Sequence, residues 1–286
     1  MFEIFCLIVA LFGSCIAGAY DLKTTEIPDW IPYLMILVGI ILNSFESLVQ
    51  WNFSIILNSI IIGLGFLGFG FLMYYTGQWG GGDAKLLSAI GFLLPSLPTN
   101  LSKSVLPFPV SFLFNLFLVG AAYMIFYAFV LALIKRKILL RFFEDVKASY
   151  KIFTLGSLLL FFSFVLISFI LSLYLKVRFE LIGSIKYSLL TIAFTSLIFL
   201  LWKFAKTVEK FGFRQRIPVS KLKVGDVLEN SKLWEGLTQK EVEKIKRSGK
   251  KYVVIKEGVR FAPAFPLALI FTLYFGDMLL ILLNLI

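Results

Sequence analysis

The sequence predicts an all-α polytopic membrane protein with a small α+β insertion before its last helix, and three observations predict it. Of 286 residues, 59% are hydrophobic and 16% charged, with a mean hydropathy of +0.90, which leaves too little polar surface to coat a water-soluble globule. Apolar stretches of the roughly 20 residues needed to cross a bilayer recur along the chain. The Lys and Arg residues also concentrate on alternate connections, as the positive-inside rule requires.

The apolar stretches occupy about 2–20, 31–50, 54–75, 110–134, 152–175, 182–202 and 263–286. A shorter one, about 84–98, follows a glycine cluster. Eight crossings result if it spans; its marginal length leaves a re-entrant segment as the alternative. With the amino terminus outside, the inward connections 21–30, 76–85, 135–151 and 203–262 hold 24 basic residues. Lys103, Lys176 and Arg178 lie on outer connections, and Lys186 lies within a span near its outer end. Topology thus accounts for the net charge of +11, and nucleic-acid binding is not expected. The expected setting is the cell membrane, with the lipid bilayer as partner.

The domains expected are a transmembrane helical region at 1–205, a cytoplasmic α+β domain at 206–262 and a final transmembrane helix at 263–286. In the insertion, Pro218-Val219 through Val227-Leu228 alternates like short strands around a Lys223-Val224-Gly225-Asp226 turn. Thr238-Gln239-Lys240-Glu241 is a capping-box start for a helix ending near Gly249, and Tyr252-Val253-Val254-Ile255 reads as a strand.

Ala17-Gly18-Ala19 after an apolar run is similar to a signal-peptidase site, but the residues ahead of it contain Glu3 and no Lys or Arg, so cleavage is not expected. Cys6 and Cys15, the only cysteines, both fall in the first span. They form neither a disulfide framework nor a paired-thiolate metal site and read as small apolar packing residues. Histidine is absent, which removes Ser-His and Cys-His nucleophile activation and His-bearing zinc sites. A Ser-Lys pair remains formally open, although no motif marks one. No metal or cofactor is expected.

Carboxylates are then the acid–base groups at hand, and at membrane depth each costs about 2.5–3.5 kcal/mol on insertion scales. Those near spans, Asp21, Asp29, Asp83 and Asp277, are therefore functional candidates. Asp21 ends the first span and Asp83 starts the fourth segment, both on the inner face. Two carboxylates brought together in a confined site can share one proton, one acting as base and the other as acid. Gly80, Gly81 and Gly82 beside Asp83 permit backbone conformations closed to other residues and close approach of a substrate strand. The alternative is a flexible turn with Asp83 capping a helix.

Gly80-Gly81-Gly82-Asp83-Ala84-Lys85 together with Asp21, followed by Ile27-Pro28-Asp29, resembles the type IV prepilin peptidases and archaeal preflagellin peptidases, the GxGD membrane aspartyl proteases. The closing run Arg260-Phe261-Ala262-Pro263-Ala264-Phe265-Pro266 through Gly276-Asp277 also looks like the final span of archaeal members. The resemblance implies that Asp21 and Asp83 are the catalytic pair. It implies removal of a short basic leader from prepilin-like or preflagellin-like precursors at the cytoplasmic face. Many bacterial members also methylate the new amino terminus and carry paired cysteines in an inward loop, so peptidase activity without methyl transfer is expected here.

Lys85 is a candidate to hold substrate backbone or favour an ionised aspartate, with a snorkelling interfacial lysine as the alternative. Glu26 and Asp29 are candidates to attract the basic leader, or are solvated loop charges. Asp277 is expected to pair with a neighbouring helix, Lys186 being one candidate, and to take no part in catalysis. Presenilin-type or signal-peptide-peptidase-type enzymes share Tyr20-Asp21 and GxGD, but about sixty residues and two spans separate the aspartates here. A carboxylate-dependent ion transporter is the reading from another class.

Overall fold

The computed structural model describes residues 2–97, 105–231 and 236–278. The expected last residues of the fourth and final apolar segments, 98 and 279–286, and Lys103 on an outer connection lie outside the described residues. Among the described residues, six helices are long and apolar enough to cross a membrane: α1 (Phe2–Thr24), α2 (Trp30–Val49), α3 (Ser54–Tyr75), α5 (Phe108–Ile134), α6 (Arg136–Tyr174) and α7 (Leu181–Gly212). The protein is a polytopic helical membrane protein with a small late sheet. α4 (Gly81–Leu93) has 13 residues and is about 20 Å long, short of a bilayer core of roughly 30 Å.

Two compact units divide the chain, one of residues 1–126 with 214–286 and one of residues 127–213. In the second, α6 and α7 pair as long helices, with Ala132, Ile138 and Val208 forming a small buried core. Phe162, Leu166 and Ile170 of α6 are among its many exposed apolar side chains. That surface suits hydrocarbon and would be unusual in water.

In the first unit, α4 is the central element, packed against α1, α2 and α3. Ala84, Leu86, Leu87, Ala89 and Ile90 are fully buried. α3 can approach because it carries glycine at the contact: a Cβ on Gly70 would lie 2.7 Å from the Ala84 Cα. α4 ends inside the protein, where free backbone carbonyls are costly. Asn43 Nδ2 and Ser59 Oγ accordingly donate to the Phe92 carbonyl at 3.0 and 2.6 Å.

Between α7 and the last helix, α9 (Ala264–Phe275), the chain forms an antiparallel three-stranded sheet in the order β1-β3-β2. β1 (Arg214–Pro218), β2 (Val227–Leu228) and the central β3 (Tyr252–Lys256) pair with Arg216 opposite Val254 and Val227 opposite Lys256. The first strand lies earlier than its alternation suggested, because the chain turns after Pro218 into a 3-10 segment at Val219–Lys221. The expected helix forms as α8 (Gln239–Arg247), and Gly249 at φ +72° lies just past its Ser248 cap. Thr238 and Glu241 close the capping box. Two donors of Thr238, its N–H and its hydroxyl, hold the Glu241 carboxyl below its ordinary range. Leu222, Leu237 and Val242 are the buried core beneath the sheet.

At the end of α9, Asp277 accepts hydrogen bonds from the Val105 and Leu106 N–H groups and the Ser111 hydroxyl. Asn115 Nδ2 donates to Thr272 Oγ1 at 3.0 Å and to the Gly276 carbonyl at 2.8 Å. These contacts join α9 to the start of α5.

Candidate active site

α1 remains helical through Asp21 and ends at Thr24, where Thr25 turns the chain with φ +62°. That left-handed conformation is costly for a β-branched residue, about 1–2 kcal/mol, and such strain collects at functional sites. α4 begins at Gly81 with Gly80 as its cap, and Gly80 N–H donates to Asp83 Oδ2 at 3.0 Å. Asp83 therefore does stabilise a helix start, with one of its two oxygens. Asp21 is held in the same manner, its Oδ2 accepting the Ala262 N–H at 2.9 Å. No described hydrogen bond engages Oδ1 of either residue.

Both aspartates are more than nine-tenths buried and line one cavity of about 740 Å³. Two acid groups thus line one cavity, each tied by one oxygen to a backbone donor. That arrangement can hold a water and a carbonyl between a base and an acid.

Gly80, Gly81, Gly82 and Glu26 also line the cavity. None of the three glycines has positive φ; space is what Gly82 supplies, since a Cβ there would meet the Ile27 Cβ at 2.9 Å. Gly81 faces open room, its nearest neighbour Tyr74 being 3.8 Å from such a Cβ. Lys85 and Asp29 are brought to each other instead, with Nζ 2.6 Å from Oδ1 and the ammonium 5.4 Å from the Tyr33 ring centre. Neither belongs to the cavity lining.

Sequence reasoning missed the far wall of the cavity. The insertion supplies Gly225, Asp226, Glu257 and Gly258 to it, and Trp79 and Phe261 close its apolar side. Trp79 is buried among Phe69, Phe117, Phe261 and Phe265, with ring centres 5.6–6.1 Å apart. The one signal in the sequence is the closing run Arg260–Pro266, which carries a family likeness and no chemistry of its own.

Asp21 near the end of one helix and Asp83 at the start of another, both buried and lining one cavity, mark a polytopic helical protein with a carboxylate-lined cavity. The chain belongs to the type IV leader peptidase family, whose profile matches residues 7–175. Over 159 residues it is 26% identical to prepilin peptidase EppA of Methanothermobacter thermautotrophicus, covering 52% of this chain and 41% of that protein. It is 36% identical over 88 residues to the preflagellin peptidase of Methanocaldococcus jannaschii, 31% of this chain and 37% of the relative. The preflagellin peptidase of Methanococcus maripaludis is 31% identical over 133 residues, 43% and 56% of the two chains. The chain thus spans about half the length of the curated relatives it matches, or less.

Proposed function

We propose that this protein is a membrane aspartyl endopeptidase that removes the basic leader from prepilin-like or preflagellin-like precursors at the cytoplasmic membrane face. The single observation carrying the reading is the opening of two buried carboxylates, Asp21 and Asp83, into one cavity large enough for a peptide segment. Family membership and the names of its relatives support the substrate class.

The ionised member of the pair removes a proton from a water, whose oxygen adds to the scissile carbonyl carbon. The protonated member donates to the carbonyl oxygen. Collapse of the tetrahedral intermediate breaks the C–N bond, and the leaving amine takes up a proton from the dyad. The rim carboxylates Glu26, Asp226 and Glu257 suit a leader carrying Lys or Arg. The connections that carry the two aspartates, 21–30 and 76–85, alternate with the outer ones in step with 135–151 and 203–262, where the basic residues concentrate, and this supports a cytoplasmic site. Both cysteines lie in α1 and not in a loop, which supports cleavage without methyl transfer.

The test is cleavage of a pilin-like precursor by wild type, Asp21→Asn and Asp83→Asn in membranes at matched expression. Each substitution is expected to lower the rate about 1,000-fold or more. Full activity in either variant overturns the assignment and favours a carboxylate-dependent transporter. A methylated product amino terminus, detected by mass spectrometry with purified enzyme, overturns the absence of methyl transfer. A cut mapped within the substrate's membrane span, away from the leader junction, overturns the leader specificity.

A further inference from the structure

A short strap, Gly258–Pro263, runs from the central strand β3 into α9 and crosses the end of α1. A Cβ on Gly258 would stand 3.2 Å from the Thr25 carbonyl oxygen, and one on Gly18 would stand 3.2 Å from the Pro263 Cα. Strap and helix backbones are therefore in direct contact on both sides of Asp21. Within the strap, Ala262 supplies the N–H held by Asp21 Oδ2.

Phe261, the residue before that donor, points its ring at Trp79, centre to centre 5.6 Å. Trp79 in turn precedes Gly80, whose N–H holds Asp83 Oδ2. The ring has little slack at its edge: Gly120 of α5 makes room for it, and a Cβ there would come within 2.8 Å of the ring edge. One aromatic contact thus joins the two short peptides that donate to the two carboxylates.

We infer that the Phe261–Trp79 contact is a positioning clasp that sets the separation and orientation of Asp21 and Asp83, so that the strap leaving the α+β insertion is part of the catalytic apparatus without touching substrate chemistry. This rests on the peptidase reading above. Its physical basis is the steep dependence of rate on placement, since a misplacement of about 1 Å can cost roughly 100-fold. An aromatic pair locked between backbone donors resists such a shift because each ring is held by packing and has no equivalent alternative position.

The experiment uses the full-length protein in detergent or nanodiscs and compares wild type, Phe261→Ala, Phe261→Tyr and Gly120→Ala, with Asn115→Ala as a destabilised control at the other end of α9. Rates are expressed per folded protein, and amide exchange is followed in peptides covering 78–84 and 258–264. Phe261→Ala is expected to lower kcat about 10–100-fold with KM within about two-fold, and to speed exchange in both peptides together. Phe261→Tyr is expected to restore kcat. Gly120→Ala, which crowds the ring without altering it, is expected to lower kcat in the same sense even if Phe261→Ala fails to fold.

A fall in folded fraction with kcat per folded protein unchanged overturns the clasp, as does exchange that quickens in one peptide alone. If the wild type cleaves no precursor while both peptides loosen together in Phe261→Ala and not in Asn115→Ala, the peptidase reading falls and the clasp stands.

Discussion

Asp21 accepts the backbone N–H of Ala262 at 2.9 Å, a bond between residues 241 positions apart. Asp83 accepts its own N–H from Gly80, three positions away. One member of the pair is thus held by its own helix start, and the other by the segment that returns from the far end of the chain. Any distortion of that return segment falls first on Asp21.

On the proposed peptidase reading, two carboxyls that share one proton titrate as a unit. The expected kcat/KM profile is bell-shaped: activity falls on the acid side when both carboxyls become protonated and no base remains. It falls on the alkaline side when the shared proton leaves and no acid remains. Rates measured across pH with one precursor check this, and a flat profile through the range in which wild type stays folded would count against the shared proton.

Glu26 and Asp29 are expected to separate. Glu26 lines the cavity, whereas Asp29 is engaged by Lys85. Glu26→Gln should slow cleavage of a strongly basic leader more than that of a leader with fewer charges, and Asp29→Asn should affect the two equally. Lys85→Met should cost no more than about 1 kcal/mol of stability, because Asp29 is well exposed and the pair is screened. Competition between the two precursors in one reaction provides the readout.

Asp277 accepts from Val105 and Leu106, just ahead of α5, and from Ser111 in its first turn. Replacing it with Asn leaves donors facing an amide of unsuitable polarity, so Asp277→Asn is expected to lose about 1–3 kcal/mol of stability. Catalysis by the folded protein should be unaltered. Thermal unfolding together with kcat per folded protein distinguishes this from a catalytic role.

Acidification should loosen α8. Glu241 has a depressed folded-state pKa owing to the Thr238 donors. The capping box therefore contributes stability above the unfolded Glu range and loses it as pH falls through the folded value. Protection factors of the 239–247 amides should fall more steeply with acid in wild type than in Glu241→Gln, where the charge is already absent. Equal slopes would refute the charge-dependent cap.

Much of the architecture was legible because its causes are local. An apolar run long enough to cross a bilayer is helical there, since the bilayer leaves backbone groups no other partner. Thr238 and Glu241 capped α8 as their spacing implied, and Asp21 and Asp83 were marked by the company of Gly80–Gly82. Lys85 and Asp29 were harder to read, because their mutual pairing depends on how the start of α2 packs on α4. The reason for Gly82 was also hidden: its backbone is ordinary, and only the nearness of Ile27 requires the missing side chain.

By itself, then, the sequence determined the membrane class and most of the helices, and directed attention to Asp21 and Asp83, through hydropathy, charge asymmetry and short motifs whose physics acts within a few residues. Tertiary structure alone decided that the insertion forms a wall of the cavity and that a strap ending in Phe261 and Ala262 closes on Asp21. The physical reason is that these contacts join surfaces far apart in the chain. Their energies come from shape and packing, which no local pattern encodes.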